Sequence, residues 1–415
     1  MQTTVAVIGG GGHVGLGLSL LLADTGHSVV GIDTNVANNA RIMAGDMPFK
    51  EEGAAPVLKR VLESGRFTIH DDHAAVSAAE VVIVILGTPI DSNLNPDLKP
   101  LRQAMATIAP FLRPGQIVML RSTIAPGTTD TLRRMLEDLT GLTVGQDIDL
   151  VFAPERVIQG KALSELPLLP QLIGAFDDAA YARTEAFFLT FLRSRCFQLS
   201  PTEAEMGKLM TNMFRYVQFA LANEFQMLAD MHGANVFKII DACNHDYPRL
   251  RIPDPGPNVG GPCLFKDGWF LLEGVAFNEI IATAFRINES MPAQIRQRLA
   301  KVPTIRRVAV LGMTFKANSD DTRNSLSFKL CRILENTNYE VVRLDPMLSA
   351  HSDWQVLDQV DAVVLMTPHD CFAELATIRR HVGRDDVLYA DLWGFWREMR
   401  YCSANGYFWG HDIPH

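Results

Sequence analysis

The stretch Thr4-Val5-Ala6-Val7-Ile8-Gly9-Gly10-Gly11-Gly12-His13-Val14-Gly15 decides the fold. Thr4 to Ile8 is apolar and β-branched, a glycine run follows, and Val14 to Ala23 carries apolar residues at helical spacing before a second strand-like run, Ser28 to Asp33. This is a βαβ unit. Gly10, Gly12 and Gly15 satisfy G-x-G-x-x-G at the strand-to-helix junction, where glycine permits the tight turn, the approach of backbone to a pyrophosphate and close helix packing. The quadruple glycine Gly9 to Gly12 leaves the register open by one residue. Asp33 ends the next strand about 20 residues later, where a carboxylate accepts from an adenosine ribose 2'-hydroxyl and repels a 2'-phosphate. NAD is therefore favoured over NADP, against the alternative of a glycine turn with no ligand.

Working outward, Val81 to Gly87, Gln116 to Arg121, Asp149 to Ala153 and Gln171 to Ala175 read as further strands. Helix-like stretches such as Leu98 to Leu112 and Thr128 to Leu139 separate them. The alternation implies an α/β fold with a parallel, doubly wound sheet whose ligands sit at the carboxyl ends of the strands. From Pro201 to Met231 only Gly207 interrupts a helix that at ~1.5 Å per residue is unusually long, a natural spine between domains. After Pro303 the opening pattern returns: Val308-Ala309-Val310-Leu311-Gly312 echoes Val5 to Gly9, and Val341 to Asp345 echoes Val29 to Asp33. A second Rossmann-like half is expected. It lacks the glycine fingerprint and should hold a different ligand; ordinary βαβ composition is the competing explanation.

The chain has 415 residues, roughly two to three times an ordinary domain, with 47% hydrophobic and 20% charged residues. It has ample apolar material for large cores. Thirty-eight Lys and Arg against 47 Asp and Glu, a net charge of −9, argue against a broad nucleic-acid surface but leave room for a local basic pocket. The six cysteines are scattered without a C-x-x-C pair, which points to no zinc site, no disulfide framework and a reducing, cytoplasmic home. No signal-peptide-like segment opens the sequence, and the most apolar short run, Val81 to Leu86, is far below the roughly 20 residues that span a bilayer. No metal and no membrane partner are expected.

Cys263 ends the loop Pro255-Gly256-Pro257-Asn258-Val259-Gly260-Gly261-Pro262-Cys263, just before an amphipathic stretch, with Lys266 nearby. A helix N-terminus and a lysine favour a thiolate nucleophile. Buried packing is the commoner fate of a cysteine, and the other five are assigned to it. On the long helix, Glu205, Lys208, Asn212 and Arg215 fall along one face, with Asn223 returning near it. That face is either a solvated charged stripe or, beside a carbonyl, a place where Lys208 and Asn212 donate to an oxyanion.

Together these segments resemble the UDP-glucose/UDP-N-acetylmannosamine 6-dehydrogenase family, from Val5 to about Asp345. The matching residues are Gly12-His13-Val14-Gly15-Leu16, Gly87-Thr88-Pro89, Arg121-Ser122-Thr123 and Ala153-Pro154-Glu155-Arg156. They continue with Ala204-Glu205, Lys208, Asn212, Arg215, Asn223-Glu224, Gly260-Gly261-Pro262-Cys263-Leu264, Lys266-Asp267, Phe315-Lys316 and Asp320-Asp321-Thr322-Arg323. The resemblance implies two Rossmann-like domains joined by a long central helix: an NAD domain over 1–199, a helical and dimerisation region over 200–302, and a nucleotide-sugar domain over 303–415. It implies a four-electron oxidation of a sugar's primary alcohol to a uronate, reducing two NAD through thiohemiacetal and thioester states of one cysteine. The implied roles are Cys263 as nucleophile, Lys208 and Asn212 as oxyanion donors, Asp267 and Thr123 for the hydrolytic water, and Glu155 as acid/base or substrate-positioning group. Lys208 would also relay a proton if burial lowers its pKa. Gly10, Gly12, His13, Val14, Gly15, Asp33, Thr88, Thr123, Lys266 and Arg323 fall at the cofactor. Glu155, Arg156, Lys208, Asn212, Arg249, Gly260 and Lys316 fall at the nucleotide sugar, with Arg249 resembling an arginine that reaches a neighbouring subunit's substrate.

The sequence departs from the family pattern at His13, Phe265 and Gln159, none of which removes a reacting group. Ala153 to Arg156, Leu169-Pro170-Gln171 and Pro255 to Pro257 look more like the branch acting on N-acetylated hexosamines than the UDP-glucose branch. Two competing readings are a two-electron dehydrogenase of the 6-phosphogluconate or hydroxyacid type with a structural Cys263, and a non-catalytic nucleotide-sugar or NAD sensor. The resemblance also implies a homodimer about the long helix; a monomer using that helix as an internal spine has the same sequence signature.

Overall fold

The computed structural model describes residues 2–276, 278–402 and 405–413. The chain forms two compact units. One comprises residues up to Thr211 together with Trp269–Gly274; the other comprises Asn212–Gly268 and Val275 onward. The Pro201–Met231 helix leaves the first unit at Thr211 and continues in the second.

In the first unit the strands are β1 (Thr4–Ile8), β2 (Ser28–Ile32), β3 (Phe67–His70), β4 (Val81–Val84), β5 (Ile117–Leu120), β6 (Asp149–Phe152), β7 (Gln171–Gly174) and β8 (Cys196–Leu199). Their order, β3-β2-β1-β4-β5-β6-β7-β8, begins with the 3-2-1-4-5-6 order of a dinucleotide-binding sheet. Successive residues of each strand feed opposite cores. Val5, Val7, Ile83, Met119 and Val151 pack on one face, Ala6, Ile8, Val84, Leu120 and Phe152 on the other. Because both faces are covered, the strands read as continuous apolar runs, which is why they were visible in the sequence.

Expected as one more parallel strand, Gln171–Gly174 instead runs antiparallel to β6, Phe152 facing Gly174. The intervening segment carries only the four-residue helix Ala162–Glu165, short of the helical crossover a parallel strand needs. With that register β7 starts beyond the carboxyl end of β6 and returns to it. The parallel pair β7–β8 therefore delivers the start of the long helix to the carboxyl edge of the sheet. A Cβ on Gly174 would stand 2.7 Å from Pro201 Cα, so the two are in direct contact.

The second unit holds β9 (Arg307–Leu311), β10 (Glu340–Leu344), β11 (Ala362–Leu365), β12 (Leu388–Ala390) and β13 (Tyr407–Trp409) in the order β10-β9-β11-β12-β13. This is the other common doubly wound order, 2-1-3-4-5, with its switch point between β9 and β11. The echo of the opening pattern after Pro303 is thus a second Rossmann-like sheet, closed by the antiparallel β13. Its cores are again two-sided, Val308, Val310, Ala362 and Val364 on one face and Ala309, Leu311, Val363 and Leu365 on the other. Helices Val236–Asn244, Gly261–Leu271 and Glu279–Leu299 complete the middle of the chain. Among the described residues no helix is long and apolar enough to cross a membrane.

Assignment of five cysteines to packing needs correction. Only Cys331 is buried and Cys196 half-buried, whereas Cys243, Cys371 and Cys402 are exposed. They stand at a helix end, in a 3-10 turn and in a hydrogen-bonded turn, Cys402 N–H donating to Met399 O. Burial pushes the Cys196 and Cys331 thiols up to about 11, away from reactivity.

Candidate active site

The glycine turn follows β1 directly. Gly9 takes the left-handed backbone (φ +83°), and Gly12 caps helix His13–Asp24 without any side-chain cap. A Cβ on Gly15 would stand 2.1 Å from Gly9 O, and one on Gly10 2.7 Å from Gly31 Cα, so both are needed by the protein's own packing. One on Gly12 meets nothing closer than Gly9 O at 3.4 Å. Glycine there leaves a cradle that a side chain would fill, at a helix N-terminus that favours anions. This fixes the register as Gly10, Gly12 and Gly15. Asp33, half-buried at the end of β2, accepts the Gly11 N–H at 3.1 Å through Oδ2 and the Asn35 N–H at 3.0 Å through Oδ1. His13 packs against Phe49, ring centroids 4.0 Å apart and the planes tilted by 35°, and Val14 follows in the first helical turn. The site fits a dinucleotide.

Beside this turn, the loops after β4 and β5 are tied together: Thr88 Oγ1 donates to Thr123 O at 2.7 Å and Leu86 N–H to Ser122 Oγ at 2.7 Å. Arg121, its side chain 1% exposed, pairs with Glu155 at 2.5 Å. The other Glu155 oxygen accepts the N–H groups of Arg156 (2.6 Å) and Val157 (2.9 Å). Both oxygens are thus engaged in holding the turn after β6. Arg156 donates to Pro170 O.

The face of the long helix is no solvated stripe: Glu205, Lys208 and Asn212 are buried, and only Arg215 is exposed. Glu205 accepts from Gly127 N–H (2.5 Å), Thr129 N–H (2.7 Å) and Thr129 Oγ1 (2.6 Å), satisfying the first amides of helix Thr128–Thr140. Burial pushes its carboxyl up against those three bonds. Its part is to anchor the helix that carries Lys208.

In the second unit Cys263 lies in the first turn of helix Gly261–Leu271 and is exposed. The helix can start there because Gly261 adopts φ +73° and a Cβ on it would sit 2.4 Å from the Phe315 ring. One turn on, Asp267 is fully buried. Asn212 Nδ2 donates to its Oδ2 at 2.6 Å and Lys266 Nζ reaches its Oδ1 at 3.2 Å. Arg323, expected near the cofactor, chelates Asp321 through Nε and Nη2. Its guanidinium pKa is raised by that carboxylate above all, with the charge of Cys263 contributing, so it lies within electrostatic reach of the thiol. Gly260 has Asn324 O 3.2 Å from where its Cβ would be, and Lys316 O accepts from Thr314 Oγ1 at 2.9 Å. Arg249 lies on an exposed loop 5.9 Å from the Tyr247 ring centroid. No hydrogen bond among the described residues joins it to the group around Cys263.

Three residues escaped the sequence reading as site residues. Arg121 stood in a quoted motif as a neighbour of Thr123. Asn223 accepts the Gly256 N–H at 2.8 Å and donates to Asn288 Oδ1 at 3.0 Å. Asn258 lies inside the cysteine loop, where the glycines drew attention.

A dinucleotide sheet with an open glycine turn and a carboxylate at the end of its second strand defines a dinucleotide-binding protein of the NAD type. Models of the UDP-glucose/GDP-mannose dehydrogenase family match all three parts of the chain: the NAD binding domain over residues 3–192, the central domain over 202–290 and the UDP binding domain over 309–398. The chain is 37% identical to the UDP-N-acetyl-D-mannosamine dehydrogenase of Pyrococcus horikoshii over 89% of its own length and 90% of that protein's. It is 30% identical to an NDP-N-acetyl-D-galactosaminuronic acid dehydrogenase of Ralstonia nicotianae, covering 91% of this chain and 93% of that one. The solved Pyrococcus horikoshii structure superposes with a TM-score of 0.86, covering 91% of this chain and 93% of that one. A UDP-glucose dehydrogenase from Pyrobaculum islandicum, 27% identical, superposes at 0.85 over 96% of each. The protein belongs to the UDP-glucose/GDP-mannose dehydrogenase family, NAD-dependent enzymes acting on the CH–OH group of a nucleotide sugar.

Proposed function

We propose that the protein oxidises the primary alcohol of a UDP-N-acetylhexosamine, UDP-N-acetylmannosamine first among them, to the uronate in two successive oxidations at one cysteine. The observation that carries this is the group in the second unit: an exposed thiol at a helix N-terminus, with a buried carboxylate one turn later held at 2.6 Å by the Asn212 amide. NAD, held by Gly10, Gly12, His13, Val14, Gly15 and Asp33 with Thr88 and Thr123 flanking, supplies the hydride acceptor. The first oxidation removes a hydride and a proton from the alcohol and leaves an aldehyde. The Cys263 thiolate adds to its carbonyl, a C–S bond forms, and the oxygen takes a proton to give a thiohemiacetal. Loss of the hydroxyl proton and of a second hydride, to a second molecule of NAD exchanged for the first NADH, would leave a thioester; water adds, the C–S bond breaks, and the carboxylate leaves a free thiolate.

Each residue's part follows from its setting. Asn212 commits one N–H to Asp267 and keeps the other for the substrate oxygen, beside Lys208 as its second donor. Asp267 has lone pairs beyond those used by Asn212 and Lys266, and these orient the hydrolytic water, a part that the family resemblance also gives to Thr123. Arg323 and Lys266 make the neighbourhood of the thiolate cationic. Glu155 and Arg156 position the sugar, and Gly260 and Lys316 hold the nucleotide in the 303–415 domain, as 1–199 holds NAD and 200–302 carries the cysteine. Turnover of a panel of UDP-, TDP- and GDP-sugars, with NADH yield and product mass read together, tests the reading. Two NADH and a uronate from a UDP-N-acetylhexosamine are expected. One NADH with a neutral product would return the two-electron reading, and binding without NADH would return the sensor.

The reading includes a cytoplasmic homodimer about the long helix, with Arg249 serving the partner's substrate. Met210, Phe214, Leu221 and Leu228 are 46–67% exposed and recur near heptad spacing, an apolar seam of the kind a second helix covers. Light scattering should give twice the chain mass, and Phe214→Asp should return it to one.

A further inference from the structure

The cysteine loop enters the second sheet at its switch point. Asn258, 3% exposed, sends its side-chain amide N–H groups among Thr367 Oγ1 (2.9 Å), Thr314 O (3.0 Å), Ser325 Oγ (3.1 Å) and Ser327 Oγ (3.2 Å). Its Oδ1 accepts the N–H of Leu326 at 2.8 Å, the first residue of helix Leu326–Glu335. Thr314 follows β9 and Thr367 follows β11, the two strands between which a doubly wound sheet receives its ligand. The place a phosphate would take at this helix N-terminus is therefore filled by the protein's own asparagine. On the other side, the Gly256 N–H is held by Asn223, and Asn223 by Asn288.

Behind Asn258 the polar groups are buried and joined. Thr367 Oγ1 donates to Thr314 O (2.6 Å) and Ser327 Oγ to Gly312 O (2.7 Å). Asn318 N–H donates to His369 Nδ1 at 2.8 Å, which leaves the proton on Nε2, 3.2 Å from Asp345 Oδ2 and 3.2 Å from Thr314 Oγ1. A satisfied buried network has one low-energy arrangement, and a side chain plugged into it is fixed by that arrangement. Cys263 stands five positions after Asn258, with Gly261 and the helix start between them.

We propose that Asn258 is a positioning residue for the thiol: it locks the cysteine loop to the switch point of the nucleotide-binding half, so that Cys263 is in place before the aldehyde is formed. This rests on Cys263 being the nucleophile. A loop released at this point lets the thiol wander by the ångström or so that costs about a hundredfold in a reaction requiring close approach. The aldehyde then escapes between the two oxidations.

The test uses the full chain with UDP-N-acetylmannosamine and NAD, counts NADH per sugar consumed, and traps released aldehyde with a hydrazide. Asn258→Ala is expected to lower kcat about tenfold to a hundredfold, move KM less than threefold, leave UDP affinity by calorimetry unchanged, bring NADH per sugar below two, and yield trapped aldehyde. Thr367→Val keeps side-chain shape and removes one acceptor, so it remains informative if Asn258→Ala does not fold; a smaller loss of kcat, about threefold, with detectable aldehyde is expected. Two NADH per sugar with no trapped aldehyde in Thr367→Val and in any folded Asn258 variant, while Cys263→Ala loses activity, overturns the positioning role and leaves the nucleophile standing. Wild-type turnover in Cys263→Ala overturns both.

Discussion

The two doubly wound sheets use the same strand, turn and helix to opposite ends. In the first, the turn after β1 leaves the helix N-terminus at Gly12 without a side-chain cap, and a Cβ there meets no protein atom closer than 3.4 Å. In the second, the corresponding helix begins at Leu326 with its first amide taken by Asn258 and its second, Ser327 N–H, capped by Ser325 Oγ. The carboxylates at the ends of the second strands differ in the same sense. Asp33 is half-buried and takes one amide on each oxygen, with lone pairs to spare for a ribose. Asp345 is fully buried and takes Met313 N–H, Thr314 N–H, Met347 N–H and His369. One topology thus leaves its first helix N-terminus open to a ligand in one unit and closes the equivalent N-terminus with the protein's own loop in the other.

The comparison breaks most easily at Gly15. Gly15→Ala drives a Cβ into Gly9 backbone, with no flexible side chain to yield. A loss of about 3 kcal/mol or more is expected, read as a fall in melting temperature together with loss of NAD binding. Gly12→Ala, by contrast, should leave the melting temperature in place and raise KM for NAD, because only the ligand needs that space.

Next in size are the buried carboxylates of the second unit. Bonds from His369 and from loop amides hold the Asp345 carboxyl below the usual carboxylate range despite burial. Its stabilising effect is present above the unfolded pKa and is lost as pH falls through the folded one. Burial pushes Asp391 up to about 6 against its three backbone N–H bonds. Its folded form binds the proton more tightly than the unfolded chain, so stability from this group declines as pH rises from about 4 to about 6 and is flat above. The whole decline amounts to about 3 kcal/mol. Urea unfolding at pH 4.5 and 7 should show that decline, and Asp391→Asn should flatten it.

The smallest effect sharpens the comparison best. Asp33→Asn should narrow the preference for NAD over NADP about tenfold with little change in stability, a neutral amide no longer repelling a 2'-phosphate. Asp345→Asn should do the reverse, lowering stability and leaving cofactor preference alone. The kcat/KM ratio for the two cofactors and the urea midpoint of each variant check the pair.

What the sequence disclosed follows from the range of the forces involved. β1 with its glycines, the echo at Val308 to Gly312 and the helix from Pro201 to Met231 are written in neighbouring residues, and all were legible. The antiparallel β7 was not, because strand direction depends on how the segment before it is used rather than on its own apolar pattern. The pairing of Arg121 with Glu155 spans 34 residues and that of Asn258 with Thr367 spans 109. No local spacing announces such partners. Cys263 stood out through its glycine loop and the helix start beside Lys266, and Asp267 through the family resemblance; Asn258, five residues before the cysteine, was read as part of a glycine turn.

The segment from Pro255 to Val259 is buried without belonging to any strand or helix. Its order comes from two side-chain clamps, one on the Gly256 N–H and one through Asn258, with only Pro257 between them. A ladder of backbone bonds can slip by a residue and re-form. Two clamps on named residues cannot, so this stretch has a fixed count. Its length is set to the single residue, and an insertion or deletion there has nowhere to be absorbed before it reaches the thiol.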